Sequence, residues 1–338
     1  LILPQTYGAA LLLTLVSMLC WGSWANSFKL AGKWRFELFY YDYSLGVLIA
    51  ATIFALTFGS AGSIGLPFTA DLAHAGSRQI LFGAIGGVVF NLANILLVAA
   101  ISLAGLAVAF PVGIGLALVI GVIWNYTLKP QGNPLLLFSG AAIVMVAIIV
   151  DALAYRALEA SKAAESQSKV SGRGIALSLV SGLLMGSFFP LVEMGKSGPQ
   201  GLGPYAIGFV FTVGVFLSTF VFNLFFMKFP VEGPPVTMSE YFAGTGRQHM
   251  LGIVGGLIWA AGTIANFVAA SAPESVQVGP AISYAIGQGA TMVSALWGLL
   301  VWKEFAGATG RVRLLVGIML VLFICGLALV SIAPLYAR

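Results

Sequence analysis

Apolar stretches of roughly 20 residues recur along the whole chain, each long enough to cross about 30 Å of hydrocarbon as a helix. Hydrocarbon offers the backbone no water, so every N–H and C=O must bond inside its own segment, and helices follow. The first five stretches run Gly8 to Phe28, Tyr43 to Phe58, Gln79 to Ile101, Leu106 to Leu128 and Pro134 to Leu153. The second five run Gly174 to Met194, Pro204 to Phe226, Met250 to Ala270, Val276 to Trp302 and Leu314 to Ile332. The expected fold is an all-α polytopic membrane protein of ten transmembrane helices.

Composition excludes the soluble alternative. Of the 338 residues, 59% are hydrophobic and 8% charged, against roughly a quarter charged in ordinary soluble domains. A water-facing surface of that size needs far more Lys, Glu, Asp and Arg. The net charge of +5 is spread over short connectors and forms no basic patch, which argues against a nucleic-acid partner. Cys20 and Cys325 lie far apart in apolar runs with no CxxC spacing, so neither a disulfide nor a metal is implied. The first stretch lacks the basic lead-in and short core of a cleaved signal and reads as a retained span in a cell membrane of the bacterial inner-membrane type.

The chain repeats itself. Without a gap, Gly83, Gly86, Gly87, Ile95, Ala100, Ser102 and Pro111 fall on Gly252, Gly255, Gly256, Ile264, Ala269, Ser271 and Pro280. Trp21-Gly22-Ser23-Trp24 near the end of the first stretch matches Met185-Gly186-Ser187-Phe188 in the sixth. Residues 1–154 then form a first five-helix repeat, 155–173 a linker, and 174–338 a second repeat. An odd number of spans per half inserts the second half upside down, giving a 5+5 inverted repeat. Twelve of the sixteen Lys and Arg fall in odd-numbered connectors and four on the other side, so the central linker is expected in the cytoplasm and both termini outside.

Within the stretches, Gly83/Gly87, Gly182/Gly186 and Gly252/Gly256 have the spacing that lets helix backbones approach closely. Pro111 and Pro280 read equally as helix starts or as kinks beside a cavity. Polar side chains in lipid cost several kcal/mol unless partnered, so they should face inward. Ser23, Trp24, Asn91, Asn94, Ser187, Phe188, Trp259, Asn266, Tyr284 and Gln288 are the candidate lining of one central cavity. Aromatic planes beside amides and hydroxyls suit a small neutral polar molecule; the competing reading of each polar residue is helix-to-helix hydrogen bonding. Asp42, Asp151, Glu193 and Glu274 all fall near expected span ends, with Asp42 and Glu193 the candidate groups for proton coupling. No catalytic constellation, cofactor motif or metal spacing emerges: Gly195-Lys196-Ser197 has Pro190 where a phosphate loop needs its leading glycine, and His74 and His249 stand in separate connectors.

Trp21-Gly22-Ser23, Tyr41-Asp42-Tyr43-Ser44, the glycine-rich third stretch with Asn91 and Asn94, Val119 to Tyr126, and Ala295-Leu296-Trp297-Gly298 followed by Trp302-Lys303-Glu304 together resemble the drug/metabolite transporter superfamily. The likeness is to its ureide permeases and glucose/rhamnose porters, and covers nearly the whole chain. It implies a ten-helix inverted-repeat carrier with the first four helices of each half around the substrate, and uptake of ureides, uracil-like bases or sugars. The short central linker departs from the long loop of plant ureide permeases. The leading expectation is therefore a secondary-active or facilitative importer of a small neutral polar metabolite by alternating access. An exporter of drugs or metabolites and a non-transporting membrane scaffold are the alternatives.

The charge asymmetry makes a direct prediction. A cysteine at Ser166, in the central linker, should resist an impermeant maleimide in intact cells and react once the membrane is opened; labelling of intact cells would reverse the orientation.

Overall fold

The computed structural model describes residues 1–62, 64–104, 106–162, 172–231, 233–276, 278–303 and 305–336. Among these residues every regular element is helical. In the first half they are α1 (Tyr7–Ser23), α2 (Ala25–Leu30), α3 (Phe36–Leu56), α4 (Phe68–His74), α5 (Ser77–Ala104), α6 (Leu106–Leu128) and α7 (Pro134–Lys162). The second half holds α8 (Gly172–Lys196), α9 (Pro204–Lys228), α10 (Met238–Phe242), α11 (Gly246–Ala270), α12 (Pro280–Gly287), α13 (Ala290–Leu300) and α14 (Gly310–Ile332). Eight of the helical segments are long and apolar enough to cross a membrane, counting α1 and α2 as one, and Val112–Leu128 of α6 is a shorter apolar piece.

Local chemistry sets the helix ends. The Thr6 and Thr309 hydroxyls accept from the N–H groups of Ala9 and Val312, and Thr245 with Gln248 forms a reciprocal capping box at α11. Pro204 and Pro280 open α9 and α12, where a missing N–H costs least. Pro280 is thus a helix start rather than a kink; the Pro111 side chain lies outside the described residues.

Three boundaries differ from expectation. The ninth stretch is interrupted after Gly287, where the N–H of Gly289 bonds to Ile286 O and that of Thr291 to Gln288 O, a 3₁₀-like tightening between α12 and α13. Helix α3 begins at Phe36 instead of Tyr43, because the aromatic run before Asp42 packs inward, and this carries Asp42 into the second turn. Helix α7 continues past Leu153, since Ala154 and Leu158 keep its buried face apolar. Asp151 is therefore 5% exposed inside a membrane-length segment and not at its end.

The helix ends gather at two faces. On one, Lys29 lies over Trp302, Arg35 donates to Pro234 O and Asn223 to Glu37 O. On the other, the Leu1 amino group meets Ile64 O, Gly203 N–H caps onto Asp71, and Gln79 donates to Ser197 O.

Between the faces, α5 packs on α8 and α9, α11 packs on α1 and α3, and α7 runs along α14. Glycine permits these crossings. A Cβ at Gly87 would collide with Phe211 O and one at Gly214 with Ala84 O, which closes α5 on α9. Likewise a Cβ at Gly256 would collide with Tyr43 O and one at Gly46 with Ile253 O, which closes α3 on α11. Gly86 is less confined, with Val192 Cγ2 at 3.2 Å, and Gly255 faces the Ser27 hydroxyl rather than backbone.

Gly87→Leu and Gly256→Leu should each lower the melting temperature sharply or prevent folding, since overpacking costs about 1–3 kcal/mol even where side chains can yield, and here backbone stands in the way. Gly317→Leu, which meets nothing within 4 Å, is the control. Normal folding of both crossing variants would remove the packing argument.

Candidate functional site

A cavity of about 330 Å³ lies between the two groups of helices. Its floor and walls are aromatic. Phe90 on α5 stacks on Trp259 of α11 with ring centres 4.5 Å apart and planes 28° from parallel, and Phe188 of α8 meets Phe90 edge-on at 5.3 Å. Trp21 of α1 lies against Trp259, its indole N–H donating to Thr263 Oγ1 at 3.0 Å. Trp24, at the junction of α1 and α2, closes one side.

Polar groups enter this apolar chamber from two elements. Asn94 sits one turn after Phe90 on α5, so both face the cavity, and its Nδ2 donates to Tyr40 OH at 3.1 Å. Gln288 and Thr291 enter at the interruption between α12 and α13. Gln288 projects there because Gly287 lets the backbone pass beneath the Trp21 ring, where a Cβ would come within 2.6 Å of Cζ3. Among the described residues the Gln288 amide makes no side-chain hydrogen bond, so it is available to a ligand. Among the described residues that line it there is no Asp, Glu, Lys or Arg. The chamber can therefore stack a small flat molecule and hydrogen-bond its edge, and offers no counter-charge to an ion.

Among the described residues the cavity leads toward one face. Phe36 and Val98 are shared with an outer pocket that carries Arg35 and Glu37. In the opposite direction the buried rings of Phe189, Phe211, Phe267 and Tyr284 interlock at 5.4 to 5.6 Å and close the path. Beyond that plug, at the other face, a pocket of about 410 Å³ is lined by Lys129, Glu193 and Lys196.

Of the ten lining residues expected from sequence, Trp24, Asn94, Phe188, Trp259 and Gln288 meet at the cavity. The other five sit in hydrogen bonds between or within helices. Ser23 Oγ accepts from Trp297 Nε1 at 2.8 Å, and Ser187 Oγ donates to Leu183 O at 2.6 Å. Asn91 Nδ2 reaches Ser218 Oγ and Thr219 Oγ1 on α9. Asn266 ties α11 to Ser17 of α1 and Ser283 of α12, and Tyr284 OH bonds to Ala117 O and Met185 O. Sequence reasoning passed over Trp21 and Phe90. The usable signal for Phe90 was its position four residues before Asn94, which places both on one helix face.

The two candidate coupling acids lie outside the cavity. Asp42 is 4% exposed; its Oδ1 accepts from Tyr241 OH at 2.8 Å and its Oδ2 meets His249 Nδ1 at 2.7 Å. Burial, and then the Asp42 carboxylate, push the Tyr241 phenol above its ordinary range. Trp34 stacks on Tyr241 and sits edge-on to His249, walling the cluster. Glu193 is paired with Lys196 at 2.6 Å.

The family described as ureide permease matches residues 39–178 and 157–333, the two stretches overlapping at 157–178. Ureide permease 2 of Arabidopsis thaliana is 25% identical over 96% of this chain and 97% of its own length. Ureide permease 1 of the same plant is 23% identical over 96% of each. A probable ureide permease A3 of Vigna unguiculata is 33% identical over 39% of this chain and 35% of its own. A solved crystal structure shares the fold at a TM-score of 0.59 and 17% identity, covering 95% of this chain and 96% of the other.

Proposed function

The chain belongs to the ureide permease family, a family of membrane permeases and not of enzymes, and from that premise we propose that it carries a small neutral ureide across the bilayer through the central cavity. The observation that carries the proposal is the chamber itself: stacked Phe90 and Trp259, the amides of Asn94 and Gln288, and no charged side chain among the described lining residues. The ureido group of a ureide is planar and alternates N–H donors with a C=O acceptor, and a carboxamide offers both kinds of group in one plane.

We further propose that ten spans form a 5+5 inverted repeat, residues 1–154 and 174–338, working by alternating access with uptake from outside. Supporting this, the crossing of α5 on α9 through Gly87, Phe211 and Val215 repeats in the crossing of α11 on α3 through Gly256, Tyr43 and Val47. The cavity leads to the face rich in Lys and Arg, which the positive-inside rule puts in the cytoplasm.

Allantoin, a ureide, should raise the melting temperature of the purified protein by mass action. Gln288→Ala should bind it about three- to tenfold more weakly, the worth of one hydrogen bond of about 0.5–1.5 kcal/mol, while Leu320→Ala on α14 should bind as the parent does. Equal affinity in Gln288→Ala and the parent, or equal losses in both variants, would remove the reading of this cavity as the ureide site.

For coupling to protons we propose Asp42 over Glu193, because the partner of Asp42, the His249 imidazole, is 26% exposed and gives the buried acid a polar path outward, whereas Glu193 is held by a Lys196 that is 10% exposed. In proteoliposomes an imposed proton gradient should accelerate allantoin uptake by the parent and by Glu193→Gln. Asp42→Asn, which keeps an acceptor for Tyr241, should lose the acceleration and retain binding. Acceleration that survives in Asp42→Asn excludes this residue.

A further inference from the structure

Six buried polar side-chain atoms have no hydrogen-bond partner among the described residues, and one of them, the Tyr43 hydroxyl, lies directly behind the cavity wall. We propose that this hydroxyl is a ligand-binding group, screened by Trp24 in this structure and reached when the Trp24 ring turns aside. The inference rests on the reading of the cavity as the ureide site.

Tyr43 stands out among the buried tyrosines. Tyr40 OH accepts from Asn94, Tyr41 OH donates to Met227 Sδ, Tyr205 OH to Ile2 O, and Tyr284 OH to Ala117 O. Each of those phenols has a structural use. Tyr43 is 0% exposed and its hydroxyl has none. A phenylalanine would fill the same volume without the desolvation cost that an unpartnered buried hydroxyl carries, so packing alone does not account for the oxygen.

Its position does. The Tyr43 ring lies 4.8 Å from that of Trp24 and 6.3 Å from that of Trp259, both of which line the cavity. It also lies 4.9 Å from the ring of Tyr40, whose hydroxyl is bonded to cavity-lining Asn94. The backbone of Tyr43 is fixed, because its carbonyl forms the close crossing with Gly256. The movable part is Trp24. The indoles of Trp21, Trp297 and Trp302 are each anchored by a donated hydrogen bond to Thr263, Ser23 and Asn26. Trp24, on the junction between α1 and α2, is only partly buried and has no such anchor among the described residues. Rotation of that one ring joins the Tyr43 hydroxyl to the Asn94 and Tyr40 pair, where it can donate to a ureide carbonyl or accept from a ureide N–H.

The test compares the parent, Tyr43→Phe and Gln288→Ala by calorimetric titration with allantoin, beside a melting curve for each without it. Tyr43→Phe should bind allantoin about three- to tenfold more weakly and melt at or above the parent's temperature, because it removes an oxygen that the fold does not use. Parent-like affinity in Tyr43→Phe beside weakened Gln288→Ala would overturn the inference and leave the cavity reading intact. A lower melting temperature in Tyr43→Phe would also overturn it, since the hydroxyl would then hold the fold. Failure of the parent to bind allantoin, or parent-like binding by Gln288→Ala, removes the cavity reading and this inference with it.

Discussion

Close approach of helix backbones at four glycines is the constraint on which the rest of the molecule depends. In hydrocarbon, lipid tails solvate Leu and Val as well as another helix does, so burial of apolar surface does not by itself draw helices together. Removing Cβ at Gly46, Gly87, Gly214 and Gly256 lets α3 meet α11 and α5 meet α9 with backbone against backbone. Those two crossings, joined through the packing of α3 on α9, bring Phe90 against Trp259 and set Tyr43 behind the wall that Trp24 and Trp259 make. The width of the cavity is thus inherited from contacts outside it.

The same solvent divides the polar side chains between two duties. An amide in lipid has to find a partner, and most here find one on a neighbouring helix: Asn91 on α9, Asn266 on α1 and α12, Asn223 on α3. These bonds hold the helices in register. Asn94 and Gln288 are the amides left facing the chamber, and both sit beside aromatic rings. Asn94 does both, since its Nδ2 donates to Tyr40 OH on α3 while its side chain lines the chamber.

This division explains how much was legible in the sequence. Apolar length and glycine spacing located the helices, because hydrocarbon thickness and backbone contact act on each segment separately. Periodicity could place Asn91 and Asn94 on α5 but could not separate glue from site, since the two differ only in which neighbour stands opposite. The nearer clue was Phe90, which shares the Asn94 face. Asp42 and Asp151 were misplaced at span ends for a related reason: a hydropathy boundary marks where apolar residues thin out, while α3 and α7 run on as long as one face stays packed. The Tyr43 hydroxyl is invisible to any pattern, because its distinction is the lack of a partner.

The interruption between α12 and α13 follows from these constraints together. In the first half α6 runs as one helix in contact with α8, Gly186 lying against Ile120. Its counterpart in the proposed repeat meets α1 through Gly22, which lies against Val293, but tightens into 3₁₀ geometry at Gln288 and Gly289. A mid-helix 3₁₀ turn gives up good hydrogen-bond geometry, and persists where the surroundings require it. Here Trp21 presses on Gly287 from one side while Tyr284 is pinned to α6 and α8 on the other. The turn relieves that conflict and delivers Gln288 into the chamber. If the two halves exchange conformations during transport, a joint of this geometry can take up part of the change, and Gln288 would move with it.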